Sequence, residues 1–144
     1  MKKVLYTLFL VIISISIIGC EKSNKNRTTE KVSDTVKVFI NDKEYKLNLY
    51  DNETSSSLIK LFPIEVTMKN LNENEVYVYL DEEFPTNSSN PKTINAGDVM
   101  LYGDSCLVIF YKTFNTSYSY TKIGHIDDLP IINEDTVRVR IEKE

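Results

Sequence analysis

Six consecutive positions, Cys106-Leu107-Val108-Ile109-Phe110-Tyr111, are apolar. A strand with one face in water alternates, so a short run that is apolar on both faces marks a strand buried in the middle of a domain. Gly103-Asp104 precedes it and suits a two-residue hairpin turn, which joins it to the strand-like residues 97–102. The stretch 95–126 built around this hairpin also holds the single histidine, His125.

The other elements are short and mostly alternate. Val36, Val38 and Ile40 alternate with Lys37 and Phe39, and Tyr45, Leu47 and Leu49 with Lys46 and Asn48. Asn41-Asp42 between them tolerates positive φ, which makes the pair a hairpin. Asp51 or Asn52 can cap a short helix whose apolar face is Leu58, Ile59, Leu61 and Phe62, with Pro63 as its stop. Further strands are expected at residues 64–68, 76–80, 120–127 and 136–141. Residues 81–96 contain Pro85 and Pro91 and show no period, so they read as a long loop. Loops of that length inside a domain are often functional, the plainer alternative being a solvated crossover. The sum is about eight strands and one short helix. This is a mainly β chain, and closure into a barrel is the economical way to remove so many edges.

The N-terminus carries an address. Lys2 and Lys3 precede an apolar run over residues 4–18, which ends at Gly19-Cys20. That pattern is a secretory signal peptide, and the run is shorter than the ~18–20 residues that span a bilayer. Ile17-Ile18-Gly19-Cys20 resembles the lipobox of bacterial lipoproteins, in which the cysteine is lipidated and becomes the mature N-terminus. The resemblance implies a signal peptide over 1–19, a lipidated Cys20 with a flexible tether over 20–34, and a domain over 35–144. It also implies residence in the cell envelope, outside the cytoplasm, with the membrane as partner through Cys20. Residues 21–34 have Val32 as their one apolar residue, too little to order a segment alone.

Composition narrows the partners. The chain has 17 basic and 21 acidic residues, and loss of Lys2 and Lys3 makes the remainder more acidic still. Such a surface argues against nucleic acid as a partner. Cys106 is the one cysteine left after Cys20, so the domain cannot rely on an internal disulfide.

Gly97-Asp98-Val99-Met100-Leu101-Tyr102, Leu107-Val108-Ile109-Phe110-Tyr111 and Tyr118-Ser119-Tyr120-Thr121-Lys122-Ile123-Gly124-His125-Ile126 together resemble a bacterial cyclophilin-like family. The hairpin at residues 40–45 and the Pro85-Thr86-Asn87 loop look like the same family. The resemblance implies a closed eight-stranded barrel with a helix at one end. Its catalytic implication fails on composition. Active cyclophilins bind the prolyl amide through an arginine, and between Val36 and Asp128 this chain has none. Arg27 falls in the tether, and Arg138 and Arg140 near the C-terminus. The phenylalanine-histidine-arginine and glutamine-glycine-glycine-aspartate motifs are absent too. Prolyl isomerase or chaperone action without arginine is the alternative to a non-catalytic module that binds a peptide or other ligand.

Other chemistry is weaker. Cys106 and His125 could pair as nucleophile and base, but a free cysteine in an apolar strand is usually a small core residue. One histidine and one buried thiol do not make a typical zinc site, and Asp81, Glu82, Glu83 and Asp98 match no calcium-loop spacing. No catalytic residue, metal or cofactor is assigned. The aromatic set Tyr77, Tyr79, Phe84, Tyr102, Phe110, Phe114, Tyr118 and Tyr120 is the best remaining candidate. Tyr79, Phe84, Tyr102, Phe110, Phe114, Tyr118 and Tyr120 are the expected binding residues, because an apolar ring with a polar tip suits shallow recognition. The competing expectation is that these rings fill and cap a barrel that lacks tryptophan.

Overall fold

The computed structural model describes residues 30–144. The signal peptide, Cys20 and most of the expected tether lie outside them. Among the described residues, no helix is long and apolar enough to cross a membrane.

Ten strands form, and eight of them close a barrel in the order β1-β10-β3-β4-β7-β6-β9-β2. β1 (Val32–Ile40) and β2 (Lys43–Tyr50) make the first hairpin, turned by Asn41 at φ 47 and Asp42 at φ 70. β1 starts before Thr35, so Val32 to Asp34 belong to the sheet rather than to a tether. Val32 pairs with Tyr50 and Asp34 with Leu49 across a bulge. β3 (Ile64–Leu71) and β4 (Glu75–Tyr79) form the second hairpin, and β6 (Asp98–Tyr102) and β7 (Cys106–Phe110) the third. β9 (Thr121–Ile126) pairs with β6 and β2, and β10 (Thr136–Lys143) pairs with β1 and β3. The first and last strands of the domain therefore zip together and complete the closure. Residues 30–144 hold a whole closed sheet with its own core, which makes them a folding unit.

Alternation along each strand sends one set of side chains inward. Val36, Val38, Leu47, Leu49, Met68, Val76, Val99, Leu101, Leu107, Ile109, Ile123, Val139 and Ile141 are among the residues of that core. The helix α1 (Glu53–Leu58), followed by a 3-10 turn over Ile59–Leu61, adds Leu58 to it. Asn52 is the cap. Its side chain accepts from the Ser55 amide at 2.9 Å and donates to the Lys122 carbonyl at 3.0 Å. Asn52 thus ties the helix to β9 as well as starting it. Asn52→Ala is expected to cost about 1–2 kcal/mol in urea unfolding, at the upper end of a helix cap because a second bond is lost.

β7 also packs outward. Cys106, Val108 and Phe110 point away from the barrel and form a second apolar cluster with Ile94, Met100 and Tyr120. This accounts for the run that is apolar on both faces: one face fills the barrel, the other floors a separate core.

What covers that second core was read as patternless in sequence. Within residues 81–96, β5 (Thr93–Ile94) pairs with β8 (Phe114–Asn115) in a two-stranded flap. Ser89 and Tyr120 exchange two backbone hydrogen bonds at 3.0 Å, and the Thr116 amide donates to the Lys92 carbonyl at 2.9 Å. The segment is a pinned cover rather than a free loop.

Candidate functional site

The flap is too short to cover all of the outer face. Phe114 packs on Phe110 and Ile94 joins the same cluster, while Cys106 and Val108, themselves almost wholly buried, form the floor beyond them. A groove of about 490 Å³ remains there. One wall is β4 with the end of β3, contributing Leu71, Glu75, Tyr77 and Tyr79. The opposite wall is residues 114–118 with Tyr120, and Tyr102, Cys106 and Val108 line the space between.

Ring contacts organise the far wall. Tyr118 meets Tyr102 edge-on at 6.1 Å, Tyr102 meets Tyr120 at 5.6 Å, and Tyr120 meets Phe110 edge-on at 5.4 Å. Phe114 completes the series at 5.8 Å from Phe110. Tyr77 and Tyr79 stand edge to face at 6.1 Å on the near wall. Edge-to-face and tilted pairs are the favoured aromatic geometries, so the rings hold one another in place.

The structure brings five of the seven expected residues to the groove: Tyr79, Tyr102, Phe114, Tyr118 and Tyr120. Phe110 is fully buried and supports Phe114 and Tyr120 from below. Phe84 is a correction. It packs in the barrel core rather than the outer cluster, because its amide donates to the Asp104 carbonyl at 2.8 Å and turns the chain inward. No residue of 81–96 lines the groove; the groove opens on the other side of the 114–120 segment.

Glu75 is the site residue that sequence reasoning missed. It falls just before the strand expected at 76–80. In the sheet it pairs with Phe110 on β7 and faces outward on the same side as Tyr77 and Tyr79. The sequence did hold a usable signal, since Glu75, Tyr77 and Tyr79 alternate. Burial among apolar neighbours holds the Glu75 carboxyl above the ordinary glutamate range. Burial also pushes up the Cys106 thiol and the Tyr120 hydroxyl, and the charge of Glu75 adds to both.

A raised carboxyl costs stability where it is ionised. Below about pH 4 the group is protonated in both folded and unfolded chains, so it contributes no difference. As pH rises, the unfolded chain ionises first and the folded state pays the desolvation. Glu75→Gln is therefore expected to stabilise the domain at pH 7, with the gain shrinking to nothing below about pH 4. Urea midpoints measured across that range check the sign.

Cys106 and His125 do not meet. Tyr102 pairs with Cys106 on one flank of β6, and Asp98 pairs with His125 on the other. Four residues of β6 offset them by roughly 13 Å along the strand, and β6 itself lies between them. His125 instead contacts Asp98, Nδ1 to Oδ1 at 3.1 Å. Asp98 also accepts from the Asn95 amide at 2.8 Å, so it is committed to the turn before β6. Among the described residues, no group of three or more His, Cys, Asp or Glu could hold a metal ion. The two arginines of the described chain lie on β10. Arg138 pairs with Asp42, and Arg140 pairs with Glu142 and covers the Phe39 ring.

The barrel has known counterparts. The solution structure of the hypothetical protein AF2241 from Archaeoglobus fulgidus is similar, with a TM-score of 0.55 and 18% identity over 81% of this chain and 99% of that one. No curated protein matches the chain. At that identity the archaeal structure speaks to the fold alone. The family comes from the sequence, where the model described as the Cyclophilin-like family matches residues 38–142. That match runs from within β1 to within β10 and takes in every strand of the closed sheet, β10 included. The chain belongs to the Cyclophilin-like family.

Proposed function

We propose that this protein is a lipid-anchored, extracytoplasmic binding module, in which the barrel presents an aromatic groove to a peptide and performs no chemistry on it. The observation that carries the reading is the groove itself, a concave site of ligand-binding size lined by rings that other rings hold in position. What lines it supports recognition over catalysis. Arginine is not among the lining residues, and burial together with the charge of Glu75 pushes the lining thiol up, away from the thiolate that would act as a nucleophile. Anchoring rests on the Ile17-Ile18-Gly19-Cys20 pattern, since several acyl chains hold a protein to a bilayer almost permanently.

Two measurements test the two halves. For the groove, NMR of residues 30–144 with a capped proline-containing tetrapeptide is expected to shift the amides of 75–79 and 114–120. Proline exchange in that peptide is expected to stay at the uncatalysed rate. Tyr118 is 61% exposed, so Tyr118→Ala should change stability by no more than about 0.5 kcal/mol while weakening binding about tenfold. Accelerated exchange that disappears in Tyr118→Ala would replace binding with isomerase catalysis. For the anchor, the full chain is expected to incorporate labelled palmitate, and Cys20→Ser to incorporate none. A wild-type chain without label would remove the anchor from the proposal.

A further inference from the structure

The groove has a single formal charge. Its lining includes no lysine, arginine, histidine or aspartate; Glu75 is the only charged side chain. Some exposed carboxylates of the described chain have cations beside them, as Asp51 has Lys31, Glu30 has Lys122 and Asp42 has Arg138. Glu75 has neither an ion pair nor a hydrogen bond to its side chain among the described residues. Tyr77, Tyr79, Tyr102, Phe114, Tyr118 and Tyr120 line the same groove, and an aromatic ring offers a cation the negative face of its quadrupole. Carboxylate and rings thus attract the same kind of guest.

From this charge pattern, and resting on the reading of the groove as a binding site, we propose that its ligand is a peptide bearing a basic side chain, lysine or arginine. The cationic head meets Glu75, and the apolar stem lies along Val108 and the Tyr77 ring. Long basic side chains pack their methylenes on apolar surface while the charge reaches a polar partner. A neutral guest would use the rings but seal Glu75 further from water without a partner, which is costly for a carboxylate. An acidic guest adds repulsion to that cost. The polar part of the lining favours a peptide as the source of the cation. Asn72, Asn74, Asn115 and Ser117 line the groove on its two walls, and their amides and hydroxyl can bond peptide N–H and C=O groups.

The test uses residues 30–144 and three capped tripeptides, Ala-X-Ala, with lysine, norleucine or glutamate as X. Amide shifts of 75–79 and 114–120 give the affinities. The lysine probe is expected to bind about tenfold more tightly than norleucine, equivalent to about 1.4 kcal/mol, with glutamate weakest. Glu75→Gln is expected to abolish the lysine preference, weakening lysine binding and strengthening norleucine binding, which no longer seals an unpartnered carboxylate. Glu73→Gln, in the neighbouring turn and outside the groove, should preserve the preference. Norleucine binding as well as lysine, or a preference that survives Glu75→Gln, overturns the cationic ligand and leaves the groove standing as a binding site. Tetramethylammonium binding as tightly as the lysine probe overturns the peptide as the source. Failure of every probe to shift the groove overturns this inference and the binding reading together.

Discussion

Phe110→Ala is expected to destabilise the domain by about 3–5 kcal/mol, measured as a lowered urea midpoint at unchanged slope. Phe110 is fully buried and stands where two groups of rings meet, touching Phe114 on the flap and Tyr120 on the groove wall. Its loss removes the ring's transfer energy and leaves a cavity between sheet and cover, which a two-stranded flap tied by Ile94 and Phe114 cannot fill by collapsing. Small domains have only 5–15 kcal/mol in total, so the loss is a large fraction of what holds this one folded. Phe114→Ala is the informative partner. Phe114 is only half-buried, so its removal should cost less stability while still loosening the groove wall.

Gly97→Ala is expected to do at least as much damage through the backbone. Gly97 has φ +95, a region that L side chains rarely adopt. A Cβ there would lie 2.2 Å from the Ile126 carbonyl oxygen and 2.7 Å from the His125 ring. Neither neighbour can step aside freely. Gly97 donates to the Phe110 carbonyl at 2.7 Å and accepts from the Ile126 amide at 2.8 Å, so it joins β6 to both flanking strands. The substitution should lower stability by more than about 3 kcal/mol, seen as loss of dispersed NMR amides or an early urea midpoint. Gly103→Ala is the control. Gly103 also has positive φ, at +64, but a Cβ there meets nothing within 4 Å. Conformation alone should then cost about 1–2 kcal/mol.

The hairpins were legible because turn chemistry is local. Asn41-Asp42 and Gly103-Asp104 declare their backbone angles within two residues, and the strands on either side alternate or run apolar accordingly. Asn52 announced the helix in the same way. Barrel closure was legible from the family resemblance and from an argument about edges but from no local pattern, because the pairing of Val36 with Lys143 joins residues at opposite ends of the domain. The flap was hidden for a related reason. β5 and β8 have two residues each, too few to show a period, and they exist because a second core needs a cover. Phe84 was grouped with the site as one of the aromatic set; its amide bonds the Asp104 carbonyl and its ring packs in the barrel core instead. The alternation of Glu75 with Tyr77 and Tyr79 put the three on one face, but that this face borders a groove depends on the pairing of β4 with β7 across the sheet.

The seam between β1 and β10 has a mechanical consequence. A pull transmitted through the proposed tether arrives along the axis of β1, whose Val36 to Ile40 stretch is paired with β10 on one side and β2 on the other. Antiparallel ladder bonds run perpendicular to their strands, so tension loads these rungs in shear, together, rather than peeling them apart in turn. With the anchor and the groove ligand as proposed, the seam that closes the sheet would also carry the force between them.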